Sequence, residues 1–403
     1  ARPSPAVRFF GMPRKVLAGI SAAACLLALT GCNISKYLPA EDCVIVPAED
    51  LVPATGALLG VNLDWGSETL SEYADKLGHR PSVAVSFSDL PLSNSDEVNV
   101  RAAAAQVRGN GGSLLVTLEP HAGLASITPE VADELAAFLA EINAEGVPVI
   151  VRFAHEMNGS WYEWGQQPTA YIAAFRIVAE ALHAGAPGSA TMWAPNNAGG
   201  YPFTGGKASA VPGTADFALL DTNGDGTLTI ADDAYAPYYP GDDVVDWVGM
   251  SLYHWGSTYP WGENEMPEEG KFAAQLTGTY NGLAGDETAA PDFYQTYAVE
   301  HGKPLAIPET AALVIPGRDA EQELAIKRAW WRQVLSEENA TRFPQLKMVN
   351  WFEWDKDEPE VGGDVHWSVA NDADVRTAFT ADLPSWLAPT PVPEECAPVT
   401  SEQ

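Results

Sequence analysis

Short apolar runs and helical patterns alternate along most of the chain. The runs at 57–64, 82–90, 113–121, 148–156, 190–196, 246–255, 303–310 and 346–354 are rich in β-branched and aromatic residues. At that length and composition they read as strands buried on both faces. Helical spacing fills the intervals. The clearest case begins at Thr128, a capping residue, and Pro129, which suits the first helical position; Val131, Leu135, Phe138, Leu139 and Ile142 then recur on one face. Eight strands alternating with helices predict an α/β chain folded as a single (β/α)8 TIM barrel, a doubly wound open sheet being the competing topology.

In such a barrel the C-terminal strand ends open on one face, where catalytic groups collect. The polar residues fall there: Glu119 and His121 on the third run, His155 and Glu156 on the fourth, Trp193, Asn196 and Asn197 on the fifth, Tyr253, His254 and Trp255 on the sixth, Glu309 on the seventh, and Trp351, Glu353, Trp354 and Asp355 on the eighth. Flat aromatic faces stack on pyranose rings, so aromatic residues beside carboxylates at one rim predict a sugar cleft. The expected sugar contacts are His121, Trp161, Trp164, Trp193, Asn196, Trp255, Trp351 and Trp354.

The fourth run ends in VRFAHEMNGSWYEWG, residues 151 to 165. A His-Glu pair suggests a zinc protease helix, but Gly159 stands where the second His must be, and the run is a strand. Glu156 is then expected to project from the end of that strand. Residues four apart share a face of a regular strand, which puts Arg152 on the side of Glu156. A buried Glu satisfied by Arg152 or His155 is the competing, purely structural reading.

Composition narrows the substrate. Lys and Arg total 22 against 54 Asp and Glu, a formal charge of −32. That field opposes nucleic acid and anionic membrane surfaces and is indifferent to a neutral polysaccharide.

Met12 to Cys32 has the positive start, apolar middle and Leu29-Thr30-Gly31-Cys32 ending of an export signal with a lipobox. The expected division is therefore a signal over 1–31 with the true start at Met12, an arm over 32–54, the barrel domain over 55–387 and a Pro-rich tail over 388–403. The expected product is an extracellular or cell-surface lipoprotein, touching membrane only through a lipid on Cys32, and a monomer. Of four cysteines, Cys25 leaves with the signal; Cys43 and Cys396 can pair in an oxidising compartment, with a Cys32–Cys43 bridge or free thiols as alternatives.

Between the fifth and sixth runs lies an insertion containing Asp221 to Asp232, DTNGDGTLTIAD. Oxygen donors alternate along a turn with Gly at the sixth position and an acid at the twelfth, the pattern of a calcium loop. Asp221, Asn223, Asp225, Thr227 and Asp232 are its expected ligands, for a structural Ca²⁺ bracing a rim loop; no cofactor is expected in the chemistry.

HEMNGSW on strand four, PLAIPET on strand seven and VGMSLY on strand six together resemble glycoside hydrolase family 26, best known for endo-β-1,4-mannanases, over roughly residues 55 to 385. The resemblance implies Glu156 as general acid/base, Glu309 as nucleophile, Tyr253 as the nucleophile's hydrogen-bond partner and His155 as an orienting residue. It implies a retaining endo-β-glycanase acting on a β-1,4-linked polysaccharide, mannan first. Ser160, Glu163, Ser251 and Ala311 depart from the family pattern near the subsites, so a mixed-linkage β-glucan or xylan stays open, as does a binding protein on the same scaffold.

Overall fold

The computed structural model describes residues 41–317, 320–393 and 396–398. Its strands are β1 (Leu58–Asn62), β2 (Val83–Asp89), β3 (Ser113–Glu119), β4 (Val149–Phe153), β5 (Ser189–Trp193), β6 (Trp247–Gly249), β7 (Leu305–Thr310) and β8 (Leu346–Phe352). Each pairs in parallel with its neighbour in sequence, β8 pairs with β1, and the barrel closes. The eight predicted runs are these eight strands.

Alternation along each strand separates two apolar layers. Leu58, Val83, Leu115, Ile150, Ala190, Trp247, Ala306 and Met348 pack together in one buried cluster inside the barrel. A second, larger cluster joins the outer strand faces to the helices. The helix Pro129–Ala144 forms as the pattern predicts, with the Thr128 hydroxyl accepting from Val131 N–H and Leu135, Phe138, Leu139 and Ile142 buried.

From Glu41 onward the arm preceding β1 is part of the fold. Leu51 is buried against the inner cluster, with Val46, Ala48 and Val52 packed beside it. Glu41–Asp42 pairs antiparallel with Ala397–Pro398, and a disulfide joins Cys43 to Cys396. Of the two pairings open in the sequence this is the one formed. The export signal, Cys32 and most of the end of the tail lie outside the described residues. Among the described residues no helix is long and apolar enough to cross a membrane.

Most strands are shorter than their runs, and at two of them the backbone shows why. The fourth strand stops at Phe153 rather than Glu156, because Ala154 (φ 45°) and Glu156 (φ 54°) take the left-handed conformation. Such backbone is costly for non-glycine residues and is held here by Ala154 N–H on Leu118 O (2.8 Å) and Glu156 N–H on Ala194 O (2.9 Å). The sixth run forms regular strand over only three residues, then continues as irregular contacts, Leu252 N–H to Glu309 O (3.1 Å) and His254 N–H to Ala311 O (2.9 Å).

Candidate active site

Glu156 and Glu309 lie together at the C-terminal mouth of the barrel, close enough for the charge of Glu309 to raise the pKa of Glu156. Burial is the larger cause, and the two lift that carboxyl to about 7. Arg152 and hydrogen bonds with Ser251 and Trp161 act in the opposite direction. Glu156 is therefore largely protonated below neutrality, as a proton donor must be.

The HEMNGSWYEWG segment owes its residues to this carboxyl. Trp161 folds back so that its indole N–H donates to Glu156 Oε2 at 3.0 Å. A side chain on Gly159 would lie 2.4 Å from that indole ring, which is why the position needs glycine. Asn158 fixes the loop to the end of β5 by two bonds with the backbone of Asn196, both 2.8 Å. Trp164 donates to His155 O at 2.7 Å and stacks on Tyr162 with centroids 4.4 Å apart.

Glu309 is held from two sides. Arg152, fully buried, donates through Nη1 to Oε1, and Tyr253 donates its hydroxyl to Oε2 at 2.7 Å. The register between β7 and β8 slips between Ile307 and Thr310. Pro308 has no N–H to give to the ladder, so the strand breaks pattern where Glu309 must turn into the mouth. Burial, then the charge of Glu309, pushes the Tyr253 phenol well above its ordinary range, so it remains a donor.

Arg152 thus serves the opposite carboxylate from the one a regular strand implies, since the turn at Ala154 carries Glu156 away from it. Its Nη2 donates to the Ser251 hydroxyl at 2.6 Å. Replacing Arg152 with Met is expected to cost about 3–5 kcal/mol, because Glu309 is left as a buried charge without its cation. Urea titration of both proteins checks this, and a loss below about 1 kcal/mol would show that the pair is not structural.

His155 is buried, and burial followed by the charge of Arg152 pushes its pKa well below the usual histidine value. Its Nδ1 has no partner, and the ring packs on Tyr162 (5.0 Å) and Trp164 (5.9 Å). Phe87 meets the ring edge to face at 6.0 Å, so the contacts that place it are aromatic.

The eight expected sugar contacts divide. His121 is exposed, and Trp161, Asn196, Trp255 and Trp354 are partly exposed. Trp164 and Trp193 are 0% exposed and Trp351 is 1% exposed, so none of the three can stack on a sugar. Trp193 instead packs on Phe293 and Tyr297, and Trp351 on Trp331 and Phe379, both in helix-facing layers. Position at a strand end cannot tell an inward from an outward face when both are apolar. Glu353 is likewise buried and accepts backbone N–H groups from Val369 and Ala370.

Tyr162 escaped the pattern, and Glu119 was placed at the mouth without a role. Tyr162 lies near Glu156, Glu309 and Glu119, whose charges follow burial in raising its pKa. Glu119 forms a third carboxyl at the mouth, raised first by burial and also by Glu309. Its ending of β3 was the available signal. His121 Nε2 stands 3.6 Å from Glu119 and 3.9 Å from Asp89, with Nδ1 3.3 Å from Glu163.

A closed parallel barrel whose mouth holds one carboxyl with a raised pKa and a second bound to Arg152 and Tyr253 has the paired carboxyls that glycoside hydrolysis uses. Residues 120–197 match the profile of Glycosyl hydrolase family 26, the family that the chain's motifs resemble. A stretch of 172 residues is 29% identical to Endoglucanase H of Acetivibrio thermocellus, covering 40% of this chain and 16% of that protein. The chain therefore matches only a small part of the length of that curated relative. GH26C from Muricauda sp. MAR_2010_75 superposes with a TM-score of 0.52 at 15% identity, covering 83% of this chain and 87% of that one. A double mutant of the Cellulomonas fimi endo-β-1,4-mannanase gives 0.51 at 18% identity over 87% and 78%. At those identities the likeness is one of fold.

Proposed function

We propose that the protein is a retaining endo-β-glycanase that cleaves a neutral β-1,4-linked polysaccharide by double displacement. The observation that carries the reading is the pairing of Glu156, its pKa lifted to about 7, with Glu309 in its ion pair. Glu309 attacks the anomeric carbon as the glycosidic bond breaks, and Glu156 gives its proton to the departing oxygen. Water then attacks the glycosyl-enzyme ester, Glu156 takes the water's proton, and Glu309 leaves as carboxylate. Tyr253 keeps its proton and holds one oxygen of Glu309 in both halves, while Arg152 holds the other.

Mannan is the first substrate, on the HEMNGSW, PLAIPET and VGMSLY resemblance. A β-glucan is the second reading, favoured by the segment shared with a protein named Endoglucanase H. Reducing-end release on galactomannan, glucomannan, barley β-glucan and xylan separates them. Cleavage of mannans alone supports the first, preference for barley glucan replaces it with the second, and no cleavage of any removes the glycanase reading.

The Cys43–Cys396 disulfide supports an exported protein, since such bonds persist in oxidising compartments. Lipidation at Cys32 is read from the lipobox alone. Mass spectrometry of the mature N-terminus tests it, and a mature chain beginning elsewhere excludes it.

For the insertion the reading is a structural Ca²⁺ held by Asp221, Asn223, Asp225, the Thr227 carbonyl and Asp232. The loop has a suitable shape: Gly224 (φ 72°) and Gly226 (φ 86°) turn it, Asp225 N–H donates to Asp221 and Asn223, and buried Asp232 accepts from Asn223 N–H at 3.3 Å. Ca²⁺ at a hundred times its Kd is expected to stabilise the fold by about 2.7 kcal/mol, read as a rise of several degrees in melting temperature over protein in chelator. An unchanged transition excludes the site.

A further inference from the structure

The loop leaving β6 carries Tyr253 and Trp255, which belong to the cleft described above, and then Tyr259 and Trp261, which do not. Tyr259 is 77% exposed and Trp261 partly exposed, their rings edge to face at 5.7 Å. Exposing apolar rings to water is unfavourable, and here the two rings lie on a segment whose flanks are fixed.

The fixing comes from beneath. Buried Lys271 donates to Gly256 O at 2.9 Å, and His254 Nε2 lies 2.7 Å from Glu265 O. The Glu265 carboxylate accepts the N–H groups of Ser257 and Thr258. The Asn264 side chain makes two bonds with the backbone of Ile315, at 3.1 and 2.7 Å, and Gln322 holds Asn264 O at 3.0 Å. These bonds tie the loop on both sides of Tyr259 and Trp261, so its aromatic residues are presented in place before any ligand arrives. Preorganisation of this kind lowers the entropic cost of binding.

The loop is also continuous with the cleft. Gly256 takes φ 125°, and a side chain there would lie 2.9 Å from Glu265 Oε2 and 3.7 Å from the Trp261 ring. Trp261 therefore lies against the residue next to Trp255. The Trp255 ring meets Tyr253 at 6.2 Å, and Tyr253 holds Glu309. Outward from Glu309 the aromatic residues follow as Tyr253, Trp255 and, across Gly256, Trp261 and Tyr259.

We propose that Tyr259 and Trp261 form an outlying platform that binds a further sugar unit of a neutral polysaccharide, continuous with the catalytic cleft through Trp255. This rests on the glycanase reading. Polymer length is what the platform recognises: a ring several units from the cleavage point stacks on it, whereas a short aryl glycoside does not reach it. The formal charge of −32 opposes an anionic glycan there.

The test compares wild type with Tyr259→Ala and the double variant Tyr259→Ala/Trp261→Ala on galactomannan, barley β-glucan and an aryl β-glycoside. The ratio of kcat/KM on polymer to that on aryl glycoside is expected to fall roughly three- to tenfold. An unchanged ratio overturns the proposal, and so does an equal fall on both substrates, which would place the loop's effect on Tyr253. Tyr259 is exposed enough that its single variant should melt within about 2 °C of wild type. Retardation of the Glu309→Gln protein in gels containing each polysaccharide, with and without Tyr259→Ala, keeps the two readings apart. Wild type that cleaves no polymer removes the glycanase, while loss of retardation on removing Tyr259 still supports the platform.

Discussion

Glu156→Ala is expected to lose about 10²–10⁴-fold in kcat/KM on polysaccharide and far less on aryl glycosides with good leaving groups. The difference arises because a polymer's departing sugar hydroxyl is a poor leaving group that needs a proton, whereas an activated phenolate departs without one. The pH profile supplies a second reading. Glu156 donates only while protonated, and its pKa is lifted to about 7 by burial and by Glu309. Wild-type kcat/KM on polymer should therefore fall as pH rises through about 7, and this limb should vanish for the variant on aryl substrates. Equal losses on both substrate types would remove Glu156 from the acid role. A basic limb that persists in the variant would assign the titration to another group.

Glu309→Gln is expected to abolish turnover on both substrate types, by at least about 10³-fold, because no leaving group compensates for a missing nucleophile. The amide is nearly the same size as the carboxylate and can still accept from Arg152 or Tyr253, so the fold should survive. Circular dichroism and thermal melting establish that. Substantial residual activity in a folded variant would show that a different carboxylate attacks, with Glu119, third at the mouth, the first to examine. The contrast between the two variants, selective loss for one and uniform loss for the other, distinguishes the roles more sharply than either alone.

The barrel was legible because its signal is redundant. Eight β-branched runs at regular spacing, separated by patterns such as Thr128 to Ile142, leave few other ways to bury every apolar face. The two carboxyls proposed to act, Glu156 and Glu309, were legible because each sits in a motif at a strand's end. The partition of aromatic residues was not: Trp164, Trp193 and Trp351 occupy positions indistinguishable in sequence from Trp161, Trp255 and Trp354, yet are buried. An aromatic residue serves core and sugar cleft through the same apolar surface, so only its surroundings separate the uses.

The sequence by itself determined the alternation of strand and helix, the residue types at the mouth and the strong negative charge, all of which depend on local pattern and composition. Tertiary structure alone decided which carboxyl receives Arg152. Two residues, Ala154 and Glu156, enter left-handed backbone and turn the acid off the strand, leaving the guanidinium to cross the barrel to a residue 157 positions away. It also decided that Cys43 meets Cys396, and that Glu156 holds its proton near neutrality. That last property comes from the loss of water and the presence of a second charge, conditions that chain neighbours do not create and only the closed barrel supplies.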